Sequence, residues 1–323
     1  MESLKQNEIY EYNIINKPDK GECDYCIVQS DGDVIMRYYQ VFPGISLVYE
    51  DIHAQNCTYH RKVSDSIFEI RHCREGRLEG KTQNEFFYME AGDLSVCKPQ
   101  KILNKSYYPL HHYHGITIII DVEKTPQCLS CFLEDVNVEP KYLMDKFCNM
   151  SDTFVARSMS SISHVFDELY SVPENILKGY IKVKVLELML FLTNIDIKTD
   201  EVSQRRFSQN QKNLANNISA YLLQNMDSKI TLEQLSDIFL VSATQIKSSI
   251  KAVYGVSLHN MIRIQKMQSA AKLLENTDLT IVEIAGKHGY DNASKFSAAF
   301  KTIIGVTPKE YRNEPIKIEN IIT

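Results

Sequence analysis

Two stretches in the C-terminal half decide the fold of this chain: TLEQLSDIFLVS at residues 231–242 and TIVEIAGKHGYDN at residues 280–292. Aligned at an offset of 49 residues, both begin with a threonine and carry apolar residues at matching positions. A threonine ahead of a periodic apolar run predicts a helix N-cap. Glu233 and Glu283 then fall in the first turn, where a carboxylate is favoured. The pattern predicts two copies of one helical motif.

Each copy also has the residues that a tight turn between two helices requires. Five residues after the threonine stands a small residue, Ser236 or Ala285, which lets a second helix cross closely. In the second copy Gly289 follows four residues later, where glycine most easily adopts a left-handed backbone. These features predict two helix-turn-helix units, at about residues 231–254 and 280–303.

The helix after each turn combines an apolar stripe with a polar face. The stripes are Ile246, Ile250 and Val253 in the first helix, and Phe296, Phe300 and Ile303 in the second. Short hydroxyls and lysines on the other face suit a helix laid in the major groove of DNA. The predicted DNA-binding residues are Thr244, Lys247, Ser248 and Lys251, then Ser294, Lys295 (on the flank), Ser297 and Lys301. An ordinary solvated face is the alternative for either helix alone, and the repetition favours DNA binding.

Residues 257–276 (SLHNMIRIQKMQSAAKLLEN) join the two units and read as one helix. Twenty residues at 1.5 Å each span roughly 30 Å. Successive major grooves on one face of DNA repeat every ~34 Å. A rigid connector of this length would let one chain read two adjacent turns.

The N-terminal half has a different pattern, of short strands up to about residue 125. Partly alternating or β-branched runs occupy residues 66–73, 85–89 and 115–122, with a turn-rich stretch at 75–80 and a tight Gly-Asp turn within 90–97. Short strands at this spacing predict an all-β barrel or sandwich.

Helical periodicity follows, at residues 140–148, 158–170 and 175–194. The last of these is apolar around most of its circumference, so it is either wholly buried or shared with a partner. Residues 195–211 are polar and without a clear period, which predicts a linker.

Charge and cysteine content divide the chain in the same way. The formal net charge of the whole chain is -5. Residues 208–312 hold 12 basic and 8 acidic residues, whereas the remainder holds 24 basic and 33 acidic ones. A mildly basic module beside an acidic one fits nucleic-acid binding. All eight cysteines lie between Cys23 and Cys148. The polar N-terminus and the lack of a long apolar run predict a cytoplasmic protein with reduced thiols, no secretory signal and no membrane span.

Residues 231–312 resemble the AraC/XylS transcriptional regulators. The resemblance rests on TLEQLSDIFLVS, AAKLLENTDLTIVEIAGKHGY and SKFSAAFKTIIGVTPKEYR, and the helix expected at 212–225 extends it. It implies seven helices, binding to a double-stranded DNA operator and control of transcription initiation, through RNA polymerase if the protein is an activator. Base contacts would come from Thr244, Lys247 and Ser248, and from Ala293, Ser294, Lys295, Ser297 and Ala298.

Several positions depart from the family pattern. Leu240 stands where the first turn usually has glycine, and Ser248 where many members have a base-reading arginine. A bidentate arginine contact to guanine is worth about 1–3 kcal/mol of discrimination, which the first helix lacks. Ser249 and Ile250 replace a larger apolar residue and phenylalanine, and His288 replaces an apolar residue. These departures leave affinity and base preference open.

The N-terminal half is similar to the cupin-like effector domains of the same family, in FEIRHCREGRLEG, FYMEAGDLSV and PLHHYHGITIIIDV. This implies an α+β multidomain chain: a cupin-like β-barrel effector domain at residues 1–135, a helical dimerisation segment at 136–195, a linker at 196–210 and an AraC-type DNA-binding domain at 211–314. It also implies a small-molecule effector of unknown identity and a homodimer.

Other functions are weaker alternatives. Cys23, Cys26, Cys128 and Cys131 could supply four thiolates to zinc or form redox-sensing pairs, but about 100 residues separate the two pairs. His111, His112 and His114 are similar to the His-x-His of metal-binding cupins, which would also allow a cupin enzyme fused to a DNA-binding module. No carboxylate follows at cupin spacing, since the next acids are Asp121 and Glu123. The sequence therefore predicts no enzyme, no cofactor and no metal site, with loop histidines that are hydrogen-bonded or contact the effector.

Overall fold

The computed structural model of this chain divides it into two units, Met1–Arg206 and Phe207–Thr323, called here the N-terminal and C-terminal units. The residues described are 10–13, 25–61, 64–81, 86–99, 105–127, 129, 138–148, 153–157, 159–195, 208–228 and 230–313.

The N-terminal unit holds the strands of the described chain. They are β1 (Tyr10–Asn13), β2 (Tyr25–Ser30), β3 (Asp33–Phe42), β4 (Ile45–His53), β5 (Asn56–Arg61), β6 (Ile67–Gly76), β7 (Leu78–Lys81), β8 (Phe86–Met89), β9 (Leu94–Cys97), β10 (Lys105–Tyr107), β11 (Tyr113–Asp121) and β12 (Thr153–Ala156). Seven of them form one sheet in the order β1-β3-β4-β11-β6-β9-β12, and five form a second in the order β2-β5-β10-β7-β8. The recorded strand pairs are antiparallel.

The prediction of a β-rich N-terminal half is confirmed, but its closure into a cupin-like barrel is not found. Among the strands that the structure describes, the seven-stranded and five-stranded sheets remain separate. Alternating side chains explain how they pack. On one face of the larger sheet, Val34, Val48 and Ile52 share a buried core with Cys57 and Tyr59 of the smaller sheet.

Three helices cover the other face of the larger sheet. They are α1 (Pro140–Cys148), α2 (Ser160–Leu169) and α3 (Leu177–Asn194). Their apolar residues join Ile45, Leu47 and Ile118 of the sheet in one core cluster. The result is three layers: helices, larger sheet, smaller sheet.

The turn predicted at residues 75–80 is shorter than expected. Strand β6 continues to Gly76 because β11 pairs with it along its length, and a register shift at His114/Gly115 absorbs the irregularity. Gly76 has a φ of 84°, and a Cβ there would lie 2.0 Å from the His112 carbonyl oxygen. Only glycine fits this close approach. After the single residue Arg77, the chain begins β7 of the smaller sheet.

The space between the sheets contains polar groups as well as apolar ones. Buried Arg71 forms an ion pair with buried Glu69 at 2.7 Å between Nη2 and Oε2. Thr117 lies directly opposite Arg71 on one side and Val48 on the other, so it faces the same interior. The Thr117 Oγ1 and Tyr113 Oη atoms are buried without a hydrogen-bond partner among the described residues.

Within residues 208–228 and 230–313, the C-terminal unit consists of helices and the turns that connect them. Its helices are α4 (Gln209–Gln224), α5 (Leu232–Phe239), α6 (Ala243–Tyr254), α7 (Leu258–Asn276), α8 (Ile281–Lys287), α9 (Ala293–Ile304) and α10 (Pro308–Asn313). Helix α4 begins earlier than predicted, since Ser208 and Gln211 form a capping box inside the expected linker. The rest of that linker lies outside the described residues.

Helix α7 connects the two halves of the C-terminal unit. It packs on α4 and α6 and also on α8, α9 and α10. Met267, Ala270 and Leu274 of α7 belong to the core that contains Phe296 and Phe300. One helix therefore packs on elements of both helix-turn-helix units and connects them. No helix of the described chain combines the length and the apolar composition that a bilayer span requires.

Candidate nucleic-acid interface

The two predicted helix-turn-helix units are built on matching caps. Thr231 and Thr280 each accept a hydrogen bond from the backbone N–H three residues on, and Gln234 and Glu283 complete the two capping boxes. The second helix of each unit begins after a capping side chain, Ser242 or Asn292. Both second helices, α6 and α9, are 12 residues long and end at a glycine with a positive φ. The repeat inferred from the sequence is confirmed in the backbone.

The apolar stripes of α6 and α9 point inward, with a small exception. Ile246, Ile250, Val253, Phe296 and Phe300 are buried. Ile303 is only half-buried. Because these stripes fix the rotation of each helix, the opposite faces stay exposed.

The predicted DNA-binding residues lie on those opposite faces. Thr244, Lys247, Ser248, Lys251, Ser294, Lys295 and Lys301 are exposed, and Ser297 is half-buried. Their contact with DNA stays a prediction. The structure places the first four of these residues on α6 and the other four on α9. Both helices belong to the C-terminal unit.

Two of these side chains already have partners within α6. The Ser248 hydroxyl donates to the Gln245 carbonyl at 3.0 Å and keeps its acceptor lone pairs. Lys251 Nζ donates to the Gly255 carbonyl, where it neutralises the negative end of the helix. By contrast, the Lys247 and Lys295 side chains make no hydrogen bond or ion pair with any residue in the described ranges.

One exposed side chain on this surface was missed. Gln245 is adjacent to Thr244 at the start of α6 and is exposed. A glutamine amide can pair bidentately with adenine in the major groove. Its position in the first turn of α6, next to Thr244, could have identified it from the sequence as a candidate for base contact.

The first turn has a left-handed leucine where a glycine is easier. Leu240 has a φ of 52°, and its side chain is 89% exposed. A non-glycine residue in this conformation costs roughly 1–2 kcal/mol. The Val241 N–H still bonds the Ser236 carbonyl, so the turn forms despite this cost.

The second turn, residues 288–292, is two residues longer than the first, residues 240–242, and contains the expected glycine. Gly289 has a φ of 73°, and a Cβ there would meet the Asp227 carbonyl oxygen at 3.0 Å. His288 before it is buried, and burial lowers the pKa of its imidazole. Its Nδ1 lies 2.7 Å from the Ile284 carbonyl, which can only accept, so Nδ1 carries the proton and Nε2 accepts from the Ser269 hydroxyl. His288 therefore fills its apolar place as a neutral, fully bonded group.

The other candidate sites of the sequence are placed differently. Cys23, Cys128 and Cys131 lie outside the described residues, and only the backbone of Cys26 is described. Burial raises the pKa of the Cys57 thiol to about 11 and raises that of Cys73 as well, so neither is a reactive thiolate at neutral pH. His112 and His114 lie beside each other, with ring centroids 4.4 Å apart, and His53 joins them.

Known proteins resemble this chain most clearly in the same region. The model of a helix-turn-helix domain family matches residues 235–314. The F1 operon positive regulatory protein of Yersinia pestis is 37% identical over 101 residues, which are 31% of this chain and 34% of that protein. The uncharacterized HTH-type transcriptional regulator YtdP of Bacillus subtilis is 26% identical over 253 residues, which are 74% of this chain and 31% of that protein.

A solved structure, the C-terminal domain of the response regulator AraT from Geobacillus stearothermophilus, is 34% identical and covers 31% of this chain and 84% of that one, with a TM-score of 0.30. The chain spans about a third of the length of the first curated relatives that it matches. The alignment with the Bacillus protein is longer than the C-terminal unit, so it also includes part of the N-terminal unit.

Replacing Leu240 with glycine should stabilise the C-terminal unit by about 0.5–1 kcal/mol, because the left-handed strain disappears at a small cost in unfolded-chain entropy. The exposed leucine side chain has little packing to lose. Urea unfolding of the full chain, followed by far-ultraviolet circular dichroism, measures the change. Gly289→Ala is the matched control and should destabilise the same unit; a lower free energy of unfolding for Leu240→Gly would contradict the strain.

Proposed function

Because this chain belongs, through residues 235–314, to the AraC-type helix-turn-helix family of transcriptional regulators, we propose that it binds a DNA operator sequence-specifically and regulates transcription. Helices α6 and α9 would each enter a major groove. The observation that supports this most is the pair of exposed polar faces on two equal helices, each fixed by a buried stripe.

The lysines and the hydroxyl side chains of α6 and α9 would have different roles in DNA binding. Lysines bind phosphates as point charges and set affinity, while short hydroxyls near the helix N-terminus reach base edges and set specificity. On this division, Lys247, Lys251, Lys295 and Lys301 contact phosphates or groove edges. Thr244, Ser248, Ser294 and Ser297 contact bases.

The N-terminal unit is proposed to bind a small-molecule effector between its two sheets. Tyr113 and Thr117 each bury a hydroxyl oxygen that has no hydrogen bond within the described chain. An unsatisfied buried polar atom costs about 1–3 kcal/mol, and a polar ligand would remove that cost. The Glu69–Arg71 ion pair lies on the same interior face. This cluster favours a small polar or charged effector over a purely apolar one.

A homodimer is proposed through the helical segment. Along α3, Val183 and Phe191 are exposed, and Ile176 precedes the helix with its side chain half in solvent. Exposed large apolar residues on a helix whose other side is buried are typical of an interaction surface. As a transcriptional regulator, the protein would act in the cytoplasm as a dimer. An activator would also contact RNA polymerase.

Replacing Lys295 with glutamine should weaken binding to every duplex and reduce the slope of log K against log salt by about 0.9, since one phosphate contact is lost. Fluorescence anisotropy of the full chain on a duplex selected from a random pool, over a range of salt concentrations, measures the slope. Lys272→Gln, on exposed α7 surface outside both second helices, is the matched control. An unchanged slope for Lys295→Gln would argue against the phosphate contact.

Replacing Thr244 or Ser294 with alanine should change which bases are preferred at one or two positions, by about 1–3 kcal/mol each. Competition of all single-base variants of the selected site against the parent site gives this profile. Because a hydroxyl at a base edge acts locally, only the positions that it touches should change. Equal loss on all variant sites would show a phosphate contact or a structural effect instead.

Replacing Thr117 with valine should stabilise the effector-free N-terminal unit by about 1 kcal/mol, because a buried hydroxyl without a partner gives way to an isosteric methyl. Thermal unfolding of the full chain measures it. Thr125→Val removes a hydroxyl that donates to the Val122 carbonyl at 3.2 Å, so this control should lose stability. If Thr117→Val is destabilising, the hydroxyl is satisfied within the protein and the effector site loses its support.

A further inference from the structure

Three histidines of the N-terminal unit meet at one end of the larger sheet. His53 ends β4, and His112 and His114 flank the first residue of β11. One imidazole nitrogen from each lies within 4.8 Å of the others. The rings are in mutual contact: the centroid of the His53 ring lies 5.3 Å from that of His112 and 5.5 Å from that of His114.

Strand register adds two carboxylates to this cluster. Residue His114 is paired with Asp51 on β4 and with Glu75 on β6, so all three side chains form a row across neighbouring strands. His114 Nε2 lies 2.7 Å from Asp51 Oδ1, and His53 Nε2 lies 3.1 Å from the same oxygen. His112 Nε2 lies 3.4 Å from Glu75 Oε2. Two carboxylates thus hold three imidazoles.

Two central atoms of the cluster are poorly satisfied. Asp51 Oδ1 and His114 Nε2 are buried and form an ion-pair contact at 2.7 Å, but its angles fall outside hydrogen-bond geometry. Buried polar atoms without well-directed partners are costly. One cation bound by both would satisfy the carboxylate oxygen and the imidazole lone pair together.

The geometry points to a binding site for one divalent transition-metal ion, with His53, His112, His114 and Asp51 as ligands. Imidazole nitrogens and a carboxylate oxygen are ligands of zinc and its neighbours in the first transition row. Zinc–nitrogen bonds of 2.0–2.1 Å in a tetrahedron place the nitrogens about 3.3 Å apart. The three imidazole nitrogens, within 4.8 Å of one another, would move closer together to bind the ion. His53 has room for this because its side chain is 39% exposed.

Glu75 would act as an outer carboxylate. Its contact with His112 fixes the ring orientation, as carboxylates behind metal-binding histidines do. The site lies apart from the proposed effector cluster. Asp51 and His53 share the face of β4 that holds Leu47, which packs against the helices, whereas Thr117 faces the smaller sheet. Metal binding here is therefore independent of the proposed function.

This site also explains why the sequence predicted no metal. The HHYH stretch has no carboxylate after it at a suitable distance along the chain. The antiparallel pairing of β11 with β4 and β6 supplies Asp51 and Glu75 from elsewhere.

The test is isothermal titration of the metal-free full chain with ZnCl2, with metal content checked by mass spectrometry after dialysis. Four cysteines could also bind zinc, so the background is the chain with Cys23, Cys26, Cys128 and Cys131 changed to serine. On this background the proposal predicts one zinc ion per chain. His53→Gln together with His114→Gln should weaken that binding by about 100-fold or more.

His164→Gln is the control, because His164 pairs with Glu187 outside the cluster and should leave zinc affinity unchanged. Circular dichroism of each variant checks that it is folded. Cobalt bound to the background that lacks Cys23, Cys26, Cys128 and Cys131 should show no thiolate charge-transfer absorption. Loss of zinc binding on removal of the four cysteines, or unchanged affinity in the folded double histidine variant, would overturn the proposal.

Discussion

Burial of one apolar stripe on each of two short helices determines what the C-terminal unit can present to a partner. Ile246 and Ile250 anchor α6, and Phe296 and Phe300 anchor α9. With those residues inside, helical geometry leaves only one face of each helix for other contacts. Both of those faces carry hydroxyls and lysines. This arrangement of a buried stripe and an exposed polar face occurs twice, and α7 joins the two copies. The C-terminal unit therefore has two similar polar helix faces.

The turns matter because they set the angle at which each of these helices leaves the core. Gly289 meets this need without strain, whereas Leu240 adopts the same left-handed backbone at a cost. A strained residue persists only where its surroundings determine it. The capping boxes at Thr231 and Thr280 supply part of that support. The two helix-turn-helix units thus use different residues, leucine and glycine, for the same left-handed turn conformation.

Local patterns in the sequence were sufficient for the C-terminal unit and insufficient for the N-terminal one. Helix periodicity, threonine caps and Gly289 act within a few residues, so α5 to α9 could be predicted closely. The strands of the N-terminal unit depend on partners far along the chain. The strand pattern therefore predicted a barrel or a sandwich but placed a turn where β6 continues. The resemblance implied a closed cupin-like barrel, whereas the described strands form two sheets. The His53, His112 and His114 cluster was missed for the same reason, because register alone assembles it.

We propose that α6 and α9 enter consecutive major grooves of one duplex. Methylation protection of guanine N7 by the full chain, on a duplex selected from a random pool, tests this most directly because N7 lies in the major groove. We expect two protected windows centred about 10 base pairs apart, with Lys247 and Lys295 variants each weakening one window more than the other. A single protected window, or a bound duplex on which no guanine N7 is protected, would contradict this arrangement.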